Sequence, residues 1–348
     1  MKKTGMVCSA VLLALMLASM PFLVPTGAIM VSADRRYVEN TPLQYDDWEE
    51  EEFFDDSEEP QDASGKLLMS SGGGGAPESS AAPAQLPIDD SVGLVPNPAG
   101  YTETTYQDDS ITVTMESREV GDSLYHIARV KIAHASQLRT ALAGPYGTKK
   151  TNKTSTMAKN SNAIVAINGD YYNNREGGYI VRQGQTYRKK PSNSLDMLLI
   201  DENGDFHVLL KSNKEQLTAL LQSDAKIVNA FTFGPALIVD GVVQALPESY
   251  PFDIRRPNPR AAIGQTGPLE YVMVVVDGRR EDSPGAKVEE IASFMAELGC
   301  TQAFNLDGGN SATMIFNNNF YSRKTENSER SVSDIIYFAS AVDPASWQ

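Results

Sequence analysis

The sequence predicts an α+β fold, with mixed β-sheets and a few flanking helices in a single domain that follows a disordered N-terminal stalk. Three observations carry that expectation. Short apolar or alternating segments recur from Tyr101 to the C-terminus, bounded by turns containing Gly, Asn or Asp. Only one longer segment, 287–298, repeats clearly at the helical period. The composition also changes near residue 100, from acidic and Gly/Ser/Pro-rich to ordinary globular. The 348 residues could hold two average domains, but the strand-rich remainder reads most economically as one.

The N-terminus divides in two. Lys2 and Lys3 precede the apolar run "MVCSAVLLALMLASMPFLV", and Val31-Ser32-Ala33 offers a small-x-small exit before Asp34. Residues 1–33 therefore read as a signal peptide, with an uncleaved membrane anchor as the rival. Either reading places the rest of the chain outside the cytoplasm, extracellular and secreted or attached at the cell surface. Any membrane contact would come only through an uncleaved N-terminal segment. Residues 34–99 open with "YDDWEEEEFFDDSEEPQD" and continue as "SSGGGGAPESSAAPAQLP", an acidic stalk followed by a flexible linker. This stretch carries most of the net charge of -15, a balance that argues against nucleic acid as partner.

Residues 100–348 form the expected domain. "SITVTMES" and "LYHIARVKI" alternate as half-buried strands do. "GTKKTNKTSTMAKNSN" reads as a short helix, and "AIVAI" as a compact buried strand ending at Asn168-Gly169-Asp170. Gln183-Gly184, Asn203-Gly204 and Asp240-Gly241 mark three hairpins. Ser212 and Glu215 make a capping-box pattern ahead of a helix carrying Leu217, Leu220 and Leu221. The strands "RAAIG" and "LEYVMVVVDG" follow. Then comes the helix 287–298, which places Val288, Ile291, Ala292, Met295 and Leu298 on one face and stops at Gly299. "QAFNL", "ATMIF" and "DIIYFA" close the chain as strands. Cys300 is the only cysteine after the leader, so the mature chain has no intramolecular disulfide; a buried inert thiol is expected.

Chemistry gathers at strand ends. Asn168-Gly169-Asp170, Arg260 (fixed behind Pro259), Asp277-Gly278-Arg279, and the run Asn305 to Ser311 with Asp307, Gly308 and Gly309 each sit where an apolar strand starts or stops. In "VMVVVDGR…helix…QAFNLDGG", Asp277 and Asp307 fall at one sheet edge if the two strands run parallel. The double glycine lets backbone N–H groups approach an anion. Carboxylates, arginines and exposed amides together suit a substrate with both a phosphate and a polyol. Asp170, Asp277 and Asp307 could instead hold Ca²⁺ or Mg²⁺, although no EF-hand or zinc spacing is present. No G-x-S-x-G elbow supports a Ser–His–Asp triad.

The blocks "AINGDYY", "NPRAAIG", "VVVDGRREDSPGAKVEEIASFMAELGC" and "AFNLDGGNSATM" resemble, in order, the signature blocks of the phosphodiester glycosidase family, whose members are like N-acetylglucosamine-1-phosphodiester alpha-N-acetylglucosaminidase. The chain departs from the family pattern at Ala261, where a Thr is commoner, and at Asn310, where a Gly is. The resemblance implies a hydrolase that cleaves the anomeric C–O bond of a sugar-1-phosphodiester in cell-wall or exopolysaccharide glycans, with no required cofactor. It implies Asp307, Asp170 and Asp277 as the catalytic carboxylates. Arg260, Arg279 and the amides of Gly308 and Gly309 would grip phosphate. Asn168, Gly169, Asn305 and Ser311 would meet the sugar, with Ser283 and Arg330 behind them. Two other readings stay open: a non-catalytic binder of phosphorylated surface glycans, and a metal-dependent phosphodiesterase that cleaves P–O.

Overall fold

A computed structural model describes residues 85–325 and 328–347. The leader and most of the stalk lie outside the described residues. Among the described residues no helix is long and apolar enough to cross a membrane.

The α+β expectation holds, with four sheets and three α-helices among the described residues: α1 (Thr154–Asn160), α2 (Lys214–Gln222) and α3 (Val288–Glu297). The largest sheet has eight strands, in the order Thr105–Gln107, Ile111–Val120, Ser123–Ile132, Glu270–Val276, Arg260–Gly267, Gln302–Asn305, Ala236–Val239 and Val242–Val243. Two five-stranded sheets pack against it. One runs Phe206–Leu209, Asp196–Asp201, Ile227–Phe233, Gly178–Arg182, Gln185–Lys190; the other runs Asn319–Phe320, Met314–Phe316, Val165–Asn168, Asp334–Phe338, Leu138–Leu142. Neighbouring described strands pair antiparallel.

The near-continuous apolar runs have a direct cause. The large sheet is covered on both faces, so both sides of its central strands must be apolar. Met273 and Val275 enter the core shared with the smaller sheets, beside Ile167, Phe231 and Phe338. Val272, Val274 and Val276 enter the core under α3, beside Ile291 and Met295. At Gly264 the helix side comes so close that a Cβ would lie 2.7 Å from Cys300 Sγ and 2.8 Å from Met295 Cε, so a side chain is excluded there. Cys300 is buried, and burial pushes its thiol up to about 12, leaving it protonated and inert at neutral pH.

Local signals mostly translate as written. Gln183-Gly184 and Asp240-Gly241 both take left-handed φ, the signature of a tight hairpin turn. Gly299, at φ +87, ends α3. Three readings change. Residues 85–99, assigned to the linker, belong to the fold: Leu86 is buried, Gly93 N donates to Ser161 O, and the fully buried Arg139 donates to the carbonyls of Pro87, Asp89 and Ser91. An arginine without exposure needs that many acceptors, and the segment supplies them. α1 covers only part of its expected stretch, beginning at Thr154. α2 is capped by Asn213, whose Oδ1 accepts from Glu215 N and Gln216 N, one residue beyond the expected Ser212.

Candidate active site

The strands Glu270–Val276 and Gln302–Asn305 flank Arg260–Gly267, each antiparallel to it, and so run parallel to each other. Arg260 pairs in register with Val276. Asp277, Arg260 and Asp307 therefore leave the large sheet at one edge, as the strand-end pattern requires.

The Val165–Asn168 strand is stitched to the same edge. Asn168 Nδ2 donates to Asp307 O at 2.7 Å, Thr313 N donates to Asn168 Oδ1 at 3.2 Å, and Asp307 N donates to Gly169 O at 3.3 Å. Asn168 is fully buried. Its amide joins two strand ends instead of reaching outward for a sugar hydroxyl, which corrects its expected role. Gly169 is fixed by space, since a Cβ there would strike the Asp334 carboxylate.

The double glycine also works differently from an open cradle. Gly309 N donates to Pro259 O at 2.9 Å, and a Cβ on Gly308 would lie 2.7 Å from that same oxygen. The glycines let the Asp307 loop lie directly on Pro259 and Arg260, and the Gly309 amide is spent in doing so. Gly309 at φ +59 adds a backbone requirement of its own. Ser311 is buried beneath this turn.

Two arginines lie beside this turn. Arg260 is buried, and donates from Nε to Ala286 O and from Nη2 to Arg256 O, both at 2.9 Å. Arg279 is exposed above the glycine turn; its Nη1 donates to Asn310 Oδ1 at 3.1 Å and its Nε to Asn258 Oδ1 at 3.3 Å. The Asn310 departure thus has a use as a tether for Arg279. Ala261 has none at the site, because its methyl lies fully buried in the core.

Asp170 occupies a closed electrostatic cell. Its Oδ1 accepts from Arg182 Nη2 at 3.0 Å and its Oδ2 from Thr232 N at 2.7 Å. Arg182 also bonds Asp334, with Nε to Oδ2 at 2.8 Å, and stacks 4.0 Å over the Phe231 ring. Asp170, Arg182 and Asp334 are all essentially without exposure. Burial pushes the Asp170 carboxyl up to about 6; Arg182 opposes the rise and Asp334 adds to it. Arg175 borders the cell, with Nη2 donating to Asp170 O at 3.0 Å and lying 3.9 Å from Oδ2. Its Nε and Nη1 are buried without a partner.

Asp277 sits in a different setting. Both Arg323 N (3.0 Å) and Arg323 Nε donate to its carboxylate, and His126 Nε2 lies 3.0 Å from Oδ2, at ion-pair distance but not aligned for a hydrogen bond. His126 Nδ1 meets Ser117 Oγ at 2.9 Å. Burial would raise Asp277, but His126 and Arg323 outweigh it and hold the carboxyl below the usual range. Ser283, wholly buried, donates from Oγ to Asp277 O and accepts from Leu124 N. Its hydroxyl is used within the loop and is closed to substrate, contrary to expectation. Arg330 lies 5.7 Å over the Tyr171 ring. Asn305 donates from Nδ2 to Gly234 O at 2.7 Å, while its Oδ1 is buried without a partner.

Sequence reasoning missed Arg182, Asp334, Arg175, His126 and Arg323. The available signals were weak: one charge inside the apolar run "GGYIVRQG", and one opening "DIIYFA". Among the described residues, no group of three or more His, Cys, Asp or Glu side chains is arranged to hold a metal ion.

A strand-edge site with buried carboxylates and converging arginines coincides with a family match: residues 161–339, just over half of the chain, fit the phosphodiester glycosidase profile. The chain belongs to the phosphodiester glycosidase family. The SPbeta prophage-derived uncharacterized protein YomE of Bacillus subtilis (strain 168) is 27% identical over 197 residues, which cover 55% of this chain and 30% of that protein. The chain therefore spans less than a third of this curated relative. The catalytic domain of zebrafish N-acetylglucosamine-1-phosphodiester alpha-N-acetylglucosaminidase, auto-inhibited by its pro-peptide, shares the fold with a TM-score of 0.54 and 17% identity, over 71% of this chain and 87% of that domain.

Proposed function

We propose that the chain hydrolyses the anomeric C–O bond of a sugar-1-phosphodiester, acting outside the cytoplasm on cell-wall or exopolysaccharide glycans. The observation that supports this reading is the one sheet edge at which Asp277, Arg260 and Asp307 leave the large sheet, with the Asp170 loop joined to it through the Asp307 N to Gly169 O bond, in a chain of this family. A phosphate departs as an anion and needs less protonation than an alcohol would. Cationic help at the leaving group then matters as much as a strong acid. Exposed Arg279, tethered by Asn310 and Asn258, takes the phosphate oxygens. Arg260 adds positive charge from below.

Asp307 is the working carboxylate, facing the oxocarbenium-like carbon or the attacking water. Asp170, raised to about 6, lies behind it and sets the local field through Arg182 and Arg175. Asp277 holds the 321–325 segment over the same edge through Arg323. No cofactor enters this scheme. The name of the zebrafish enzyme makes a GlcNAc-1-phosphodiester the first compound to try.

The test is hydrolysis of GlcNAc-1-phosphodiesters in ¹⁸O water with and without EDTA, beside Asp307→Asn. Label in the released sugar, retained in EDTA and lost in the variant, supports the scheme. Label in the phosphate, abolished by EDTA, replaces it with metal-dependent P–O cleavage.

A further inference from the structure

We infer that a basic surface beside the candidate site is a docking track for a polyanionic, phosphate-linked glycan, which makes the substrate a repeating polymer. The inference rests on the hydrolase reading above and deepens it. Lys149, Lys150, Lys189 and Lys190 are all exposed, and none is paired with a carboxylate among the described residues.

The segments that carry these lysines are held together by packing. Tyr146 stacks on Tyr187 (4.8 Å, 25°) and on Tyr172 (5.7 Å, 20°). Arg188 Nε donates to Tyr146 OH at 3.0 Å, while its Nη1 and Nη2 donate to Gly177 O and Tyr172 O. Asn173 Nδ2 donates to Lys150 O at 2.9 Å, and a Cβ built on Gly144 would lie 3.0 Å from the Lys150 side chain. The 144–150 loop is thereby fixed against both the Lys189-Lys190 strand end and the turn that follows Asp170. Order in the scaffold reduces the entropy lost when a ligand binds.

The topology puts this surface on the site's own edge. Leu138–Leu142 and Val165–Asn168 both pair antiparallel with Asp334–Phe338, and Ala141, Ile335 and Asn168 share one row. The loops that follow Leu142 and Asn168 therefore leave the sheet together. Lys190 pairs with Gly178, at the start of the strand that carries Arg182. The carboxylates close by are Glu176 and Asp90, both exposed, with the Asp90 charge felt at Tyr187.

A small diester carries one phosphate charge, which the site arginines already answer. Four unpaired lysines repel one another, and that cost is offset only when several anionic groups cross them together. Lysine is a point charge indifferent to what lies between phosphates, which suits a repeating backbone. Single-stranded nucleic acid carries phosphates at a similar spacing along its backbone, so it serves as the competing polyanion in the test.

The test measures binding of the full chain to poly(glycerol phosphate), to neutral dextran and to single-stranded DNA across a salt series. The variants are Lys149→Glu/Lys150→Glu and Lys189→Glu/Lys190→Glu, with Lys214→Glu/Lys226→Glu as a charge-matched control. Expected is a loss of about tenfold in poly(glycerol phosphate) affinity and a flatter salt dependence for each of the first two pairs, with little change in the control. Turnover of a small GlcNAc-1-phosphodiester should be equal in all of them. No binding, an equal loss in the control, or tighter binding of DNA would overturn the inference. Charge-dependent polymer binding without turnover of any diester would remove the hydrolase reading and leave the docking surface standing.

Discussion

Two carboxylates at the ends of two strands, Asp170 and Asp277, have nearly the same burial and opposite electrostatics. Burial pushes both toward the neutral form. Asp170 rises to about 6, while Asp277 is held below the usual carboxylate range. The difference lies in what faces each carboxylate: a second buried carboxylate, Asp334, adds to the rise at Asp170, while His126 and Arg323 lower Asp277. Asp170 and Asp334 share the fully buried guanidinium of Arg182, and Arg175 lies 3.9 Å from Asp170 at the border of the cell. Asp277 has His126 and Arg323 beside it; Arg323 also pairs with Asp282, but it keeps about a third of its side chain exposed, which spares most of its own desolvation. Burial alone therefore does not mark a perturbed acid; the groups that face it decide the sign.

The largest break in this comparison comes from the guanidinium. Arg182→Met strands two buried carboxylates and should cost about 3–5 kcal/mol. Arg323→Met leaves Asp277 beside His126 with a route to solvent, and should cost about 1–3 kcal/mol. Denaturant midpoints at neutral pH measure both, and equal losses would refute the shared-cation account.

A smaller effect is the pH dependence. The folded chain holds a proton on Asp170 that the unfolded chain releases near 3.8. That contribution is full below the unfolded value and fades as pH rises through about 6, a fall of about 3 kcal/mol. Asp170→Asn should remove the downward slope between about pH 4 and 6. Asp277 acts with the other sign: its contribution is present above the ordinary carboxylate range and lost as pH falls below it, so Asp277→Asn should flatten the acid limb instead. Urea titrations across pH 3–7 distinguish the two residues, and matching slopes would show that they are not opposed.

The smallest stability effect belongs to a residue outside both cells. Arg279 is exposed, so Arg279→Gln should change stability by no more than about 0.5 kcal/mol. It should nonetheless reduce kcat/KM on a sugar-1-phosphodiester by about tenfold or more, by removing charged hydrogen bonds to phosphate. Unchanged kinetics would take Arg279 out of the site.

Much of this could be read locally. Tight turns at Gln183-Gly184 and Asp240-Gly241, the α3 face and its Gly299 stop, and the buried "VMVVV" strand depend on neighbours within a few residues. So do the positions of Asp277, Asp307 and Arg260 at strand ends. What failed was partner assignment. Asn168, Ser283 and the Gly309 amide looked available for substrate, and each is bound to a backbone group far away in sequence, Ser283 to Leu124 N.

The sequence by itself determined the alternating strands, their turns, the amphipathic helix and the family signature, because each rests on local periodicity or on residue types at short spacing. Only the tertiary structure decided which charges share a cation. Arg182 lies 152 residues from Asp334 and 12 from Asp170, and no local pattern records that sheet packing brings the three into one dry cell. Desolvation and partner charge act through space, and so the protonation of the site is a property of the fold.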